Sequence, residues 1–73
     1  MFTLKISILD DKSVQSIYDI VKKFSGYLTM SYYDRQTILY VQNNEVLKLL
    51  ELVKSLDEYR NSFRNAIYEH NNR

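Results

Sequence analysis

Few residues in this chain are of the types that do covalent chemistry, and where they cluster a structural role accounts for them. Asp10 and Asp11 stand side by side, as the carboxylates of an acid–base pair would. They precede a run of helical periodicity, however, where carboxylate oxygens cap free backbone N–H groups and the helix dipole favours negative charge. Glu69 and His70 adjoin near the end, but one carboxylate and one imidazole fall short of a metal's ligand set. The chain has no cysteine and one histidine, which removes thiolate and paired-histidine nucleophilic chemistry. A single glycine cannot build a glycine-rich phosphate cradle, and no proline follows Met1 to act as an N-terminal base. Tyrosine with arginine cuts RNA in some small toxins, but those are strongly basic, whereas here ten Lys and Arg face nine Asp and Glu. The chain therefore reads as non-enzymatic, with no catalytic residue, metal or cofactor.

Reactive chemistry gives way to contact chemistry in the stretch Gly26 to Gln42, where tyrosines are spaced for a surface. Two runs of alternating apolar and polar residues flank Asp34-Arg35, the pattern of a β-hairpin. With Asp34-Arg35 as a two-residue turn, Leu28 faces Val41, Met30 faces Leu39 and Tyr32 faces Thr37, a register that buries Leu28, Met30, Leu39 and Val41 on one side. The opposite side then carries Tyr27, Thr29, Ser31, Tyr33, Ile38 and Tyr40. Neither Asp nor Arg enters positive φ as easily as glycine, so a longer loop from Tyr33 to Gln36 is the alternative.

The elements that position this hairpin are legible around it. Phe2, Leu4, Ile6 and Ile8 alternate with Thr3, Lys5 and Ser7, a strand with one buried and one polar face. Asp10, Asp11 and Ser13 supply the N-terminal signals of a helix whose stripe is Val14, Ile17, Tyr18, Val21 and Phe24. Lys22 and Lys23 fall in its last turn, and Gly26 is placed to end it in the left-handed C′ conformation. After the hairpin, Asn43 or Asn44 is a candidate cap for a second helix with the stripe Val46, Leu49, Leu50, Val53 and Leu56.

A further apolar face at spacings of three and four, Leu52, Leu56, Tyr59, Phe63, Ala66, Ile67 and His70, runs on past residue 55. One helix from 45 to 70 would be about 39 Å long at 1.5 Å per residue and would overhang strands of about 23 Å. Alternatively Ser55 and Glu58 form a capping box that opens a third helix. A strand over Phe63 to Tyr68 is disfavoured because alternation sets Asn65 on the buried face beside Phe63 and Ile67.

The expected fold is α+β, a single domain over 1–73 comprising a βαββα core (1–54) and a C-terminal helical extension (55–73). Right-handed crossover makes a three-stranded sheet with the helices on one face, ferredoxin-like without its last strand. This order, with the segment SIYDIVKKFSGYLTMSYYDRQTI, resembles HPr-type phosphocarrier proteins, and the order alone is similar to that of amino-acid-sensing ACT modules. The phosphocarrier resemblance implies a histidine just before the first helix. Here that place holds Asp10, Asp11 and Lys12, so the chemistry does not transfer.

A net charge of +1 lacks the footprint of a general nucleic-acid binder. Absence of cysteine suits a reducing cytoplasm, and the N-terminal run is neither a signal peptide nor a membrane span. Abundant Asn, Lys, Ile and Tyr with no Pro or Trp is a bias of AT-rich bacterial or phage genomes. The function expected is a non-catalytic protein-binding module, a regulator, inhibitor or adaptor, and a homodimer. Its partner-binding candidates are Tyr27, Tyr33, Ile38 and Tyr40 on the sheet and Leu56, Tyr59, Phe63 and Ile67 on the extension. The alternative is a ligand- or nucleic-acid-binding module of ACT-like or RRM-like topology, with Lys5 and Arg35 as its cations.

Overall fold

Alternation in the first seven-residue run builds β1 (Phe2–Ile8), and Asp10 then turns the chain into α1 (Val14–Phe24) through a short 3-10 turn at Asp11–Ser13. Asp10 accepts from the backbone N–H of Lys12 at 3.1 Å and from the Ser13 hydroxyl at 3.1 Å, so its carboxylate is the expected cap. The hairpin follows as β2 (Tyr27–Tyr33) and β3 (Gln36–Asn43), then α2 (Val46–Ser55), a 3-10 turn at Asp57–Tyr59 and β4 (Phe63–Glu69). The computed structural model describes residues 1–24 and 27–69. The expected C′ glycine, Gly26, and His70 lie outside the described residues.

The four strands form one antiparallel sheet in the order β2-β3-β1-β4. The class is α+β as expected, but the sheet has four strands rather than three: the last ferredoxin-like strand is present and occupies the place assigned to a C-terminal helix. Neither form of that helix exists. α2 stops at Ser55, and the Ser55 hydroxyl donates back to the Glu51 carbonyl at 3.0 Å instead of capping a new helix. Asn65 does lie on the helix-side face, opposite Ile6, but β4 is an edge strand and leaves the side chain exposed. A polar residue there costs little because no element covers it.

Neither Asn43 nor Asn44 is the N-cap of α2. That place is Glu45, which makes no side-chain cap bond, while Asn43 Oδ1 accepts from the Glu45 N–H at 2.9 Å. Leu50, expected in the buried stripe of α2, is 42% exposed, and Leu52 takes its place in the core.

The core forms where the two helices cover one side of the sheet. Leu4, Ile6 and Ile8 of β1, Leu39 and Val41 of β3, Ile17 and Val21 of α1, and Leu49, Leu52 and Leu56 of α2 and its end pack as one cluster with Phe63. No polar or charged residue is buried among the described residues. Each fully buried Leu or Ile contributes about 1.5–3 kcal/mol, so stability rests on this apolar layer.

Candidate functional site

The side of the sheet turned away from the helices is built by register. In β2–β3, Tyr27 pairs with Gln42, Thr29 with Tyr40, Ser31 with Ile38 and Tyr33 with Gln36. β1 adds Thr3 opposite Gln42, Lys5 opposite Tyr40 and Ser7 opposite Ile38. β4 completes the row with Tyr68 opposite Thr3, Ala66 opposite Lys5 and Arg64 opposite Ser7. Among the described residues no element crosses this face.

The turn that sets the register is the two-residue one: Asp34 and Arg35 both have positive φ, 52° and 62°. That is the geometry of a type I′ hairpin turn, whose twist matches the strands. It holds Leu28 against Val41, Met30 against Leu39 and Tyr32 against Thr37, the pairing expected from the sequence, but Met30 is not buried by it: on the edge strand it stays 57% exposed.

Of the sheet residues expected to meet a partner, Tyr27 (70% exposed) and Tyr33 (73%) stand out from the edge strand, and Tyr40 is half-buried on β3. Ile38 faces the same side but is 8% exposed, since it sits on an inner strand with neighbours on both flanks. The other four do not share a helix face. Leu56 is fully buried at the end of α2, Phe63 is buried on β4, and Tyr59 and Ile67 are partly buried against the same core. Spacing of three and four residues placed them on one stripe, but the chain reverses between Tyr59 and Phe63.

Residues from β4 enter the face that the sequence did not place there. Tyr68, 52% exposed, joins Thr3, Thr29, Tyr40 and Gln42 around a shallow concavity of about 550 Å³. Arg64 brings a second cation to the face besides Lys5, whereas Arg35 stays in the turn. The pairing of Lys5 with Tyr40 puts it four residues along β3 from the turn's closing residue Gln36, about 14 Å away. The signal for Tyr68 and Arg64 was the alternation of Arg64, Ala66 and Tyr68, readable once Phe63–Glu69 is a strand. Arg60, which lies in the reversal, meets Asp57 at 3.8 Å with both side chains mostly exposed, a pair that adds little. No group of three His, Cys, Asp or Glu able to hold a metal occurs among the described residues. No helix among them is long and apolar enough to cross a membrane.

No family model matches the chain, and no curated protein does. Solved structures share the fold. The de novo designed protein Foldit4 superposes with a TM-score of 0.63 at 9% identity, over 99% of this chain and 96% of that one. Protein Atu4242 from Agrobacterium tumefaciens gives 0.59 at 12% identity, over 97% and 94%. Formyltetrahydrofolate deformylase from Burkholderia mallei ATCC 23344 gives 0.59 at 14% identity, over 93% of this chain and 27% of the enzyme. The chain thus spans about a quarter of the deformylase. At these identities the likeness is one of fold: a four-stranded antiparallel sheet with two helices.

Proposed function

We propose that this protein is a small non-catalytic binding module that acts as a regulator, inhibitor or adaptor by presenting its open sheet face to a protein partner. The observation that carries the reading is the open face that bears Tyr27, Tyr33, Tyr40 and Tyr68. Tyrosine supplies a large amphipathic contact with few rotatable bonds, which is why it is enriched at interfaces. A face carrying four of them exceeds what a solvated surface needs. The setting we infer is a reducing cytoplasm in a bacterium or phage-infected cell, supported by the lack of cysteine and the composition.

The test compares wild type with the variant Tyr68→Ser. A partner captured from cell lysate is identified, purified and titrated calorimetrically against both. Tyr68 is more than half exposed, so the melting temperature should hold while affinity falls at least tenfold, about 1.4 kcal/mol. Equal affinity for both proteins would remove the face from the partner site.

A second reading has one observation in its favour. The concavity flanked by Tyr40 and Tyr68 lies beside Lys5, and Arg64 is on the same face, so an RRM-like stacking of single-stranded bases or a small planar ligand has a place to sit. Titration with single-stranded oligonucleotides at low and physiological salt tests it. No binding even at low salt excludes nucleic acid.

A further inference from the structure

The two edges of the sheet are guarded differently. β4 carries Arg64, Asn65 and Glu69 along one edge, charges and polarity of the kind that stops strand addition. β2, YLTMSYY, carries no charge, no proline and no glycine, and exposes Tyr27 and Tyr33 on one side and Met30 (57%) and Tyr32 (70%) on the other. An edge this long and uncharged, with tyrosines on one side and Leu28, Met30 and Tyr32 on the other, is a template for a further strand.

The hydrogen-bond phase of that edge follows from the turn. A two-residue β-turn links the Tyr33 carbonyl to the Gln36 N–H, so the backbone groups of Tyr27, Thr29, Ser31 and Tyr33 point to β3. By alternation those of Leu28, Met30 and Tyr32 point outward. A second strand must therefore offer the same phase. β2 itself does: in an antiparallel pair centred on Met30, Leu28 meets Tyr32 of a second copy and Met30 meets Met30, which satisfies each outward N–H and C=O. That register is the one that overlaps all seven residues, and a one-residue slip would set outward groups against inward ones.

The side chains agree with the backbone. The same register sets Tyr27 against the second copy's Tyr33 at the closer, non-hydrogen-bonded sites on the open face, where aromatic pairs interact best. Thr29 meets Ser31, a hydroxyl pair, and Leu28 meets Tyr32 on the helix side. Read backwards, β2 is nearly itself.

We propose that two copies join through β2, antiparallel and centred on Met30, into one eight-stranded sheet. The two-fold axis runs perpendicular to the sheet, so all four helices lie on one side and the two tyrosine faces merge on the other. The interface is isologous and closes on itself, leaving the charged β4 strands as the outer edges. This goes beyond the partner reading above: it takes up Tyr27 and Tyr33 at the seam, leaves Tyr40 and Tyr68 accessible, and is tested separately at Met30, on the other side of β2.

Sedimentation analysis at high micromolar concentration should show the wild type as a dimer. Met30→Lys, which sets two ammonium groups against each other at the axis, should raise the dissociation constant at least tenfold while the circular dichroism spectrum is kept. A cysteine-free chain allows a second measurement: Met30→Cys should oxidise to a cross-linked dimer, and Asn65→Cys on β4 should not. A monomeric wild type, a Met30→Lys variant that dimerises as tightly as wild type, or cross-linking through residue 65 instead would each overturn the proposal.

Discussion

Asp34 and Arg35 hold the hairpin together in a conformation neither favours. Positive φ costs a residue with a Cβ about 1 kcal/mol relative to glycine, and both turn residues bear it. The expense is met because the type I′ turn brings Leu28, Met30, Leu39 and Val41 into the one register that buries β3 correctly. Arg35→Gly should therefore stabilise the protein by about 1 kcal/mol, seen as a higher urea midpoint at unchanged slope. A loss of stability would mean that the Arg35 side chain contributes more than its backbone strain removes. The residue pairs of this hairpin could be written down from alternation alone, because period 2 and a two-residue turn leave one register with an apolar side. What alternation could not supply was exposure: Ile38 and Tyr33 share a face, and their difference in burial comes from inner against edge position.

β4 was the element that escaped the sequence, and the reason is geometric. Residues four apart lie on the same side of a helix and, equally, of a strand, so Phe63 and Ile67 satisfy both. Asn65 between them was the discriminating position, and it misled because an edge strand can leave one residue of its inner face in solvent. The pairing of β4 with β1 spans the whole of Phe2–Ile8 and is extended by the Leu9 N–H to the Ser62 carbonyl at 2.8 Å. Removing β4 would expose the backbone edge of β1 and strip Phe63 and Ile67 from the core. A chain of residues 1–62 should accordingly lose its cooperative thermal transition, monitored by near-ultraviolet circular dichroism. A sharp transition within a few degrees of the full chain would show that β1, β3 and the helices suffice. The site inherited this error: with residues 63–69 read as helix, Tyr68 and Arg64 could not be placed on the face that now holds them.

For 73 residues folded together, the surface buried on folding is roughly 60–65% of that exposed by the unfolded chain, which leaves a thin margin of stability. The core is a single apolar layer with no buried polar network among the described residues, and the chain has no disulfide to restrict its unfolded state. Association is one further way to gain stability, and it leaves a thermodynamic mark. If folded chains are paired and unfolded chains are not, mass action favours the folded form as concentration rises. A tenfold rise shifts the balance by about 1.4 kcal/mol per dimer, or about 0.7 kcal/mol per chain. For a domain of this size that is a rise of roughly 3–6 °C in the melting temperature for each tenfold in concentration. Scanning calorimetry across two decades of concentration should show this slope for the wild type and a flat line for Met30→Lys. A flat line for both would mean that the domain is stable alone and that β2 is an edge which neither pairs nor needs to, whereas a slope shared by both would place the contact away from Met30.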